Sequence, residues 1–194
     1  MRFNAAPEFR GVFFRFRQIV LAVMGLGLAA FPGFPAAELE PRGGTAAPAL
    51  VLDALDGPRT DLAGFRGQVV LVHFFATWCE PCIEETAALN RLVDRMAGRP
   101  LSVLAVDVGE IDARVRTFLR ENPAKFTVLM DRDRAAMKAW GVEGLPTTFL
   151  LDRNLAVRLA ARGDVDWGRP DVNAALEDLI QSPNGTPGKP AVSN

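Results

Sequence analysis

Cys79 and Cys82 are the only cysteines in the chain. They close the run Val69-Val70-Leu71-Val72-His73-Phe74-Phe75-Ala76-Thr77-Trp78-Cys79-Glu80-Pro81-Cys82. The apolar part of that run is long enough for a buried strand, and the segment after Cys82 takes up helical spacing. A cysteine at the mouth of a helix faces unpaired N–H groups and the positive end of the dipole, which stabilise a thiolate. Cys79 is therefore the candidate attacking thiol. Cys82, one turn further in, is the candidate resolving thiol of a disulfide-exchange reaction. A bond between them closes too small a loop to add much stability, which favours a working pair over a structural one. A zinc site would need two more ligands, and the lone His73 is too little.

The neighbours of the pair are read in two ways each. Trp78 is either a flat contact surface beside Cys79 or a core tryptophan ending the strand. Pro81 stiffens the turn, and Glu80 sets a negative charge beside the thiolate, which favours a reductant; Glu80 also reads as a solvated first-turn acid. Glu85, one turn past Cys82, is a half-buried proton acceptor for Cys82 or a surface acid. His73 inside the strand is a satisfied core histidine or a proton relay, and the first reading is favoured. A second motif, Gly144-Leu145-Pro146-Thr147-Thr148, puts a proline directly after a turn at the start of an apolar strand, a candidate cis bond. Set against the cysteines, it would present the backbone of Leu145 to an extended peptide.

Positioning these residues takes a short strand over Ala49 to Ala54 and, after the turn Asp56-Gly57-Pro58, a hairpin partner at Thr60 to Leu62. The central strand, 68–76, follows. The helix after Cys79 has Pro81 in its first turn, where a missing N–H costs nothing. It buries Cys82, Thr86, Leu89, Leu92, Val93 and Met96, and stops near Gly98. Then come a strand from Leu101 to Val106, a helix carrying Ile111, Val115, Phe118 and Leu119, and a short strand from Phe126 to Met130. A helix capped by Asp133, carrying Met137 and Trp140, ends at Gly141. A hairpin joins Thr147–Leu151 to Leu155–Ala160 through Asp152-Arg153-Asn154, and a last helix spans about 170–180. The expected class is α/β, a mixed sheet with helices on both faces and an N-terminal hairpin extension.

The chain has 194 residues, 49% of them hydrophobic, and a net charge of -1, which fits one folded domain. Residues 1–37 hold Arg2, Arg10, Arg15 and Arg17 against Glu8, and Ile19 to Ala37 carries no charge. That order reads as a signal peptide or an uncleaved N-terminal anchor, which places the body outside the inner membrane with the arginine end inside. Residues 38–48 read as a linker, 49–181 as the domain, and 182–194 as a disordered tail. The body is mildly acidic and has no basic stripe with interleaved aromatics, so no nucleic-acid partner is expected.

Two stretches resemble the exported TlpA-like branch of the thioredoxin superfamily, which includes ResA-type and cytochrome c maturation thiol reductases. They are Phe74-Phe75-Ala76-Thr77-Trp78-Cys79-Glu80-Pro81-Cys82 and Gly141 to Asp152, and Leu62 to Val72 resembles the family's entry to the first of them. The resemblance covers about 48–181. It implies a thioredoxin-like fold, a redox-active Cys79–Cys82 disulfide without further cofactor, and a cis Pro146. It implies that Glu85 is the acidic residue close to the pair. The implied partners are an oxidised protein such as apocytochrome c and a membrane thiol carrier, in the periplasm. The chain departs from the family at His73, where thioredoxins have Asp and this branch commonly Asn. Peroxide reduction is not expected, because Thr77-Trp78-Cys79 lacks the Thr-x-x-Cys spacing of peroxiredoxins. The alternative is a metal-handling protein of the copper-chaperone kind using Cys79, Cys82 and His73, although such proteins show Cys-x-x-x-Cys with a distant histidine.

Overall fold

The computed structural model describes residues 36–182. Eight strands form one sheet: β1 (Glu40–Pro41), β2 (Val51–Ala54), β3 (Arg59–Asp61), β4 (Val69–Phe75), β5 (Leu101–Val108), β6 (Thr127–Asp131), β7 (Thr147–Leu151) and β8 (Val157–Arg162). Among the described residues four α-helices cover it: α1 (Glu80–Arg95), α2 (Asp112–Glu121), α3 (Ala135–Ala139) and α4 (Pro170–Gln181). The strand order is β1-β8-β7-β4-β5-β6-β2-β3. β4, β5 and β6 run parallel, and β7 lies antiparallel to β4, so the sheet is mixed, as the sequence leads one to expect. The β2–β3 hairpin extends the sheet beyond β6.

β4 is apolar except for His73 because it is buried on both faces. Val70, Val72 and Phe74 pack with Leu104, Val106 and Trp140 on one side. Val69 and Leu71 meet Leu89, Leu92, Trp167, Leu176 and Leu179 on the other. Phe75, last in the strand, joins Cys79, Cys82, Val115 and Phe118 in a third cluster. The strand thus ends inside the core, and the cysteines begin at its rim.

Most of the stretch 38–48, expected as a linker, is paired with the edge of the sheet. From Ala37 to Ala47 the backbone is zipped to the outer side of the sheet. Ala37 N–H donates to Asp164 O (2.7 Å), Arg42 to Arg158 (2.7 Å), Gly44 to Val157 (3.1 Å) and Ala47 to Leu155 (3.0 Å), and Val157 donates back to Thr45 (2.8 Å). Without this strap, β8 would be a bare edge with unpaired N–H and C=O groups. Edge pairing needs no side-chain pattern and tolerates proline, so a Gly- and Pro-containing stretch can provide it. Of the expected export or anchor segment, 1–37, residues 1–35 lie outside the described residues, as do residues 183–194 of the expected tail. No helix among the described residues is long and apolar enough to cross a membrane.

Capping of α3 also differs in detail. Asp133 accepts from Ala135 N (3.0 Å), as a cap should, but the buried Asp131 accepts from Ala136 N (3.0 Å) and Met137 N (2.7 Å). Asp131→Ala should therefore cost more than Asp133→Ala, about 1–2 kcal/mol of stability. Urea midpoints of the two variants check this, and equal losses would contradict it.

Candidate active site

Cys79 is the N-cap residue of α1 and Cys82 lies in its first turn. Cys82 N and Ile83 N both donate to Cys79 O (3.0 and 3.3 Å), which locks the turn between the two thiols. Their sulfurs are joined in a disulfide across a Cα–Cα distance of 5.2 Å. Cys79 retains 6% of its surface and Cys82 none, so an incoming group meets Cys79 first. Glu80 and Pro81 are exposed on the same turn.

Trp78 is 64% exposed, which removes the core reading of that residue. Thr77, just before it, is gripped from the neighbouring loop. Its N–H donates to Glu110 Oε2 (2.6 Å) and its hydroxyl to Glu110 Oε1 (2.8 Å). Ile111, next to Glu110, is 70% exposed, so two large apolar side chains stand on the linked loops after β4 and β5. The sequence reading missed Glu110. The available signal is its place in Val108-Gly109-Glu110, directly beyond the end of β5 at the same rim as the cysteines.

The Leu145–Pro146 bond is cis. Leu145 packs against the cluster that holds both cysteines, so the fold brings the second motif to the first. Thr147 and Thr148 pair in register with Phe74 and His73, Thr147 Oγ1 donates to Gly144 O (2.8 Å), and the Pro146 carbonyl accepts from Gly163 N (2.8 Å). This fixes both sides of the loop.

Glu85 is more deeply placed than the half-buried position expected of it. Only 2% of it is exposed. Its Oε1 accepts from the Trp167 indole N–H (2.8 Å) and from Val165 N (3.3 Å), while Oε2 has no partner among the described residues. Burial pushes its pKa up to about 8, against the two hydrogen bonds and with a smaller push from Asp164. At neutral pH it holds its proton. Trp167 and Val165 were not singled out from the sequence; the only hint is that they are apolar residues set between Asp164, Asp166 and Arg169.

His73 is fully buried, its Nδ1 sits 2.9 Å from Thr148 Oγ1, and its ring stacks with Phe75 (6.1 Å, 14°). Desolvation holds its pKa down to about 3, so it is neutral across the physiological range. His73 is thus a core residue, but the satisfied histidine of the favoured reading is only half met, since Nε2 has no hydrogen-bond partner among the described residues. Among the described residues, no group of three or more His, Cys, Asp or Glu is placed to hold a metal ion.

A dithiol at a helix N-terminus, in one cluster with the residue before a cis proline, can carry out thiol–disulfide exchange. Fold and site together define a thioredoxin-fold dithiol enzyme. Comparison with known proteins agrees. The model of the AhpC/TSA family matches residues 44–160. The thiol-disulfide oxidoreductase ResA of Bacillus cereus is 31% identical over 151 residues, 77% of this chain and 87% of the relative. ResA of Geobacillus thermodenitrificans is 32% identical over 161 residues, 83% and 91% of the two chains. Among solved structures, one described as a thiol:disulfide interchange protein DsbE from Chlorobium tepidum superposes with a TM-score of 0.63 at 32% identity. It covers 74% of this chain and 96% of that one. The chain belongs to the AhpC/TSA family and, within it, to the ResA-like thiol-disulfide oxidoreductases.

Proposed function

We propose that the protein works as a reductase of protein disulfides on the outer, periplasmic side of the inner membrane, with Cys79 attacking and Cys82 resolving. The observation that carries this reading is the disulfide at the mouth of α1, with Cys79 at the rim and Cys82 sealed behind it. Oxidised substrate enters as an extended segment against Leu145 and Pro146. The Cys79 thiolate attacks one of its sulfurs, the other leaves as a thiolate and takes a proton, and a mixed disulfide remains. Cys82 then gives up its proton and attacks Cys79, releasing the reduced substrate and restoring the disulfide seen here. A membrane thiol carrier supplies the two electrons and two protons that reset the pair. Apocytochrome c is the proposed substrate, in keeping with the family resemblance.

Glu85 is the proposed acceptor of the Cys82 proton, acting in the fraction of molecules in which it is ionised. Its position one turn along α1 and its unpartnered Oε2 support this role. Glu80 supports the reducing direction, because an exposed acid on the same turn opposes the Cys79 thiolate and weakens the disulfide as an oxidant. The arginines before the uncharged stretch 19–37 support export, whether the segment is cleaved or kept as an anchor.

Equilibration with glutathione or dithiothreitol buffers tests the direction. The expected potential lies in the thioredoxin range, about -270 mV or below; a value near -120 mV would make the protein an oxidant instead. Glu85→Gln should slow resolution of a preformed mixed disulfide about a hundredfold at pH 7 while leaving the attack by Cys79 near its normal rate. Stopped-flow Trp fluorescence resolves the two steps, and equal slowing of both would remove Glu85 from the proposed role.

A further inference from the structure

Asp107 is the second-last residue of β5, fully buried, and paired in register with Phe75 of β4 and Met130 of β6. Neither of its carboxyl oxygens has a well-formed hydrogen bond among the described residues, and the polar groups nearest them are the carboxyl and the backbone N–H of Glu110. Both oxygens of that carboxyl already accept from Thr77. Two buried carboxylates side by side are too costly to keep ionised together. The arrangement closes only if one proton lies between them. Each Glu110 oxygen has two lone pairs, so Glu110 can accept from Asp107 O–H and from Thr77 at the same time.

We propose that Asp107 and Glu110 form a carboxyl pair sharing one proton, and that this pair is the positioning device for the Thr77–Cys79 turn. The inference rests on Cys79 being the attacking thiol. Asp107 O–H donates to Glu110, and Glu110 holds the N–H and hydroxyl of Thr77, two residues before Cys79. Loss of the proton puts two negative charges against each other in an apolar site. Glu110 then moves toward Arg114 of α2, which already stands 3.7 Å from Oε1, and releases Thr77. The turn loosens, and the added charge opposes the thiolate at Cys79.

The other charged groups around the pair do not replace that proton. Asp112 at the start of α2 is engaged by Arg132 (2.8 Å) and Arg116 (3.7 Å). Asp131 of β6 spends both oxygens on the backbone of α3. The guanidinium of Arg134 lies over Gly109, whose φ of +74° turns the chain from β5 toward Glu110. Phe75 of β4 lies in register with Asp107, and the β4–α1 turn contributes Thr77. Burial is the main influence that raises the pKa of Asp107, to about 8, with Glu110 adding to it.

The test is the pH dependence of Cys79 alkylation by iodoacetamide in the reduced full chain carrying Cys82→Ser. The wild-type background should show the titration of Cys79 and a second, downward break near pH 8 in the rate per thiolate. Asp107→Asn, which fixes the uncharged state, should lose that second break. Glu110→Gln, whose amide cannot accept from Thr77 on both sides, should lower the rate per thiolate about tenfold across the range. Thr77→Val should reproduce part of that loss through the missing hydroxyl. Infrared spectra at pH 7 should show one fewer protonated carboxyl in Asp107→Asn. A second break that survives Asp107→Asn, or an unchanged count of protonated carboxyls, overturns the proposal. Failure of the unsubstituted turn to alkylate at Cys79 at all would instead sink the reading of Cys79.

Discussion

Cys82→Ser is expected to stop turnover and leave Cys79 covalently bound to its substrate, whereas Cys79→Ser should stop turnover and trap nothing. The asymmetry follows from where the two sulfurs sit. Cys79 caps α1 at the rim and keeps some surface; Cys82 is sealed among Phe75, Ala105 and Val115 and meets only Cys79. A substrate disulfide can therefore reach the first and not the second. Without Cys82 the mixed disulfide has no internal thiol to break it, so release drops to the slow rate of exchange with thiols in solution. Both changes replace sulfur with oxygen at nearly constant volume, so the fold should survive them. Non-reducing electrophoresis followed by mass spectrometry reads the outcome and identifies the trapped partner. Adducts that form on Cys82 in the Cys79→Ser protein would reverse the assigned roles.

The second large effect is on stability as a function of pH in the oxidised protein, where the cysteines do not titrate. Glu85 and Asp107 have pKa values of about 8, against ordinary values near 4. Between those limits the folded chain keeps two protons that the unfolded chain has released, so stability falls as pH rises and levels off above about 8. His73 acts with the opposite sign. Its pKa of about 3 means that below about 6.5 the unfolded chain binds a proton the folded one refuses, so its contribution grows with pH and is complete by then. The ion-paired surface groups Asp112, Asp171 and Glu177 have lowered pKa values and matter only in acid. The steepest loss is therefore expected between pH 6.5 and 8, at about 2–3 kcal/mol per pH unit, since two protons are involved. Urea unfolding across that range checks it, and Glu85→Gln should halve the slope. A profile that is flat or rises from 6.5 to 8 would contradict the burial described for both carboxyls.

Much of this was legible before any coordinates. The order of strands and helices from Ala49 to Ile180 follows from alternating runs of apolar residues with Gly and Pro between them, and the structure reproduces it closely. The cysteine turn could be placed because Pro81 and the 3.6-residue spacing mark the start of α1. The cis bond at Pro146 was readable because a proline opened an apolar strand. Other features left no local trace. The strap over β8 is backbone pairing, to which side-chain patterns are blind. Glu110 and Thr77 are distant in sequence, as are Glu85 and Trp167, and only the parallel alignment of β4 with β5 and the packing of the loop before α4 on α1 bring each pair together. Trp78 was ambiguous because a strand pattern running into a turn predicts neither face for its last member.

The strap has a consequence for how far the domain can roam. If residues 38–48 were a loose spacer, they would give about 20 Å of slack between the body and whatever precedes it. Zipped to β8, they give none. The chain enters the domain at Ala37 against Asp164, next to the Gly163 that holds the Pro146 carbonyl, so its point of entry is pinned within a few residues of the proline loop facing the cysteines. Any leash on this enzyme is therefore fastened close to its mouth.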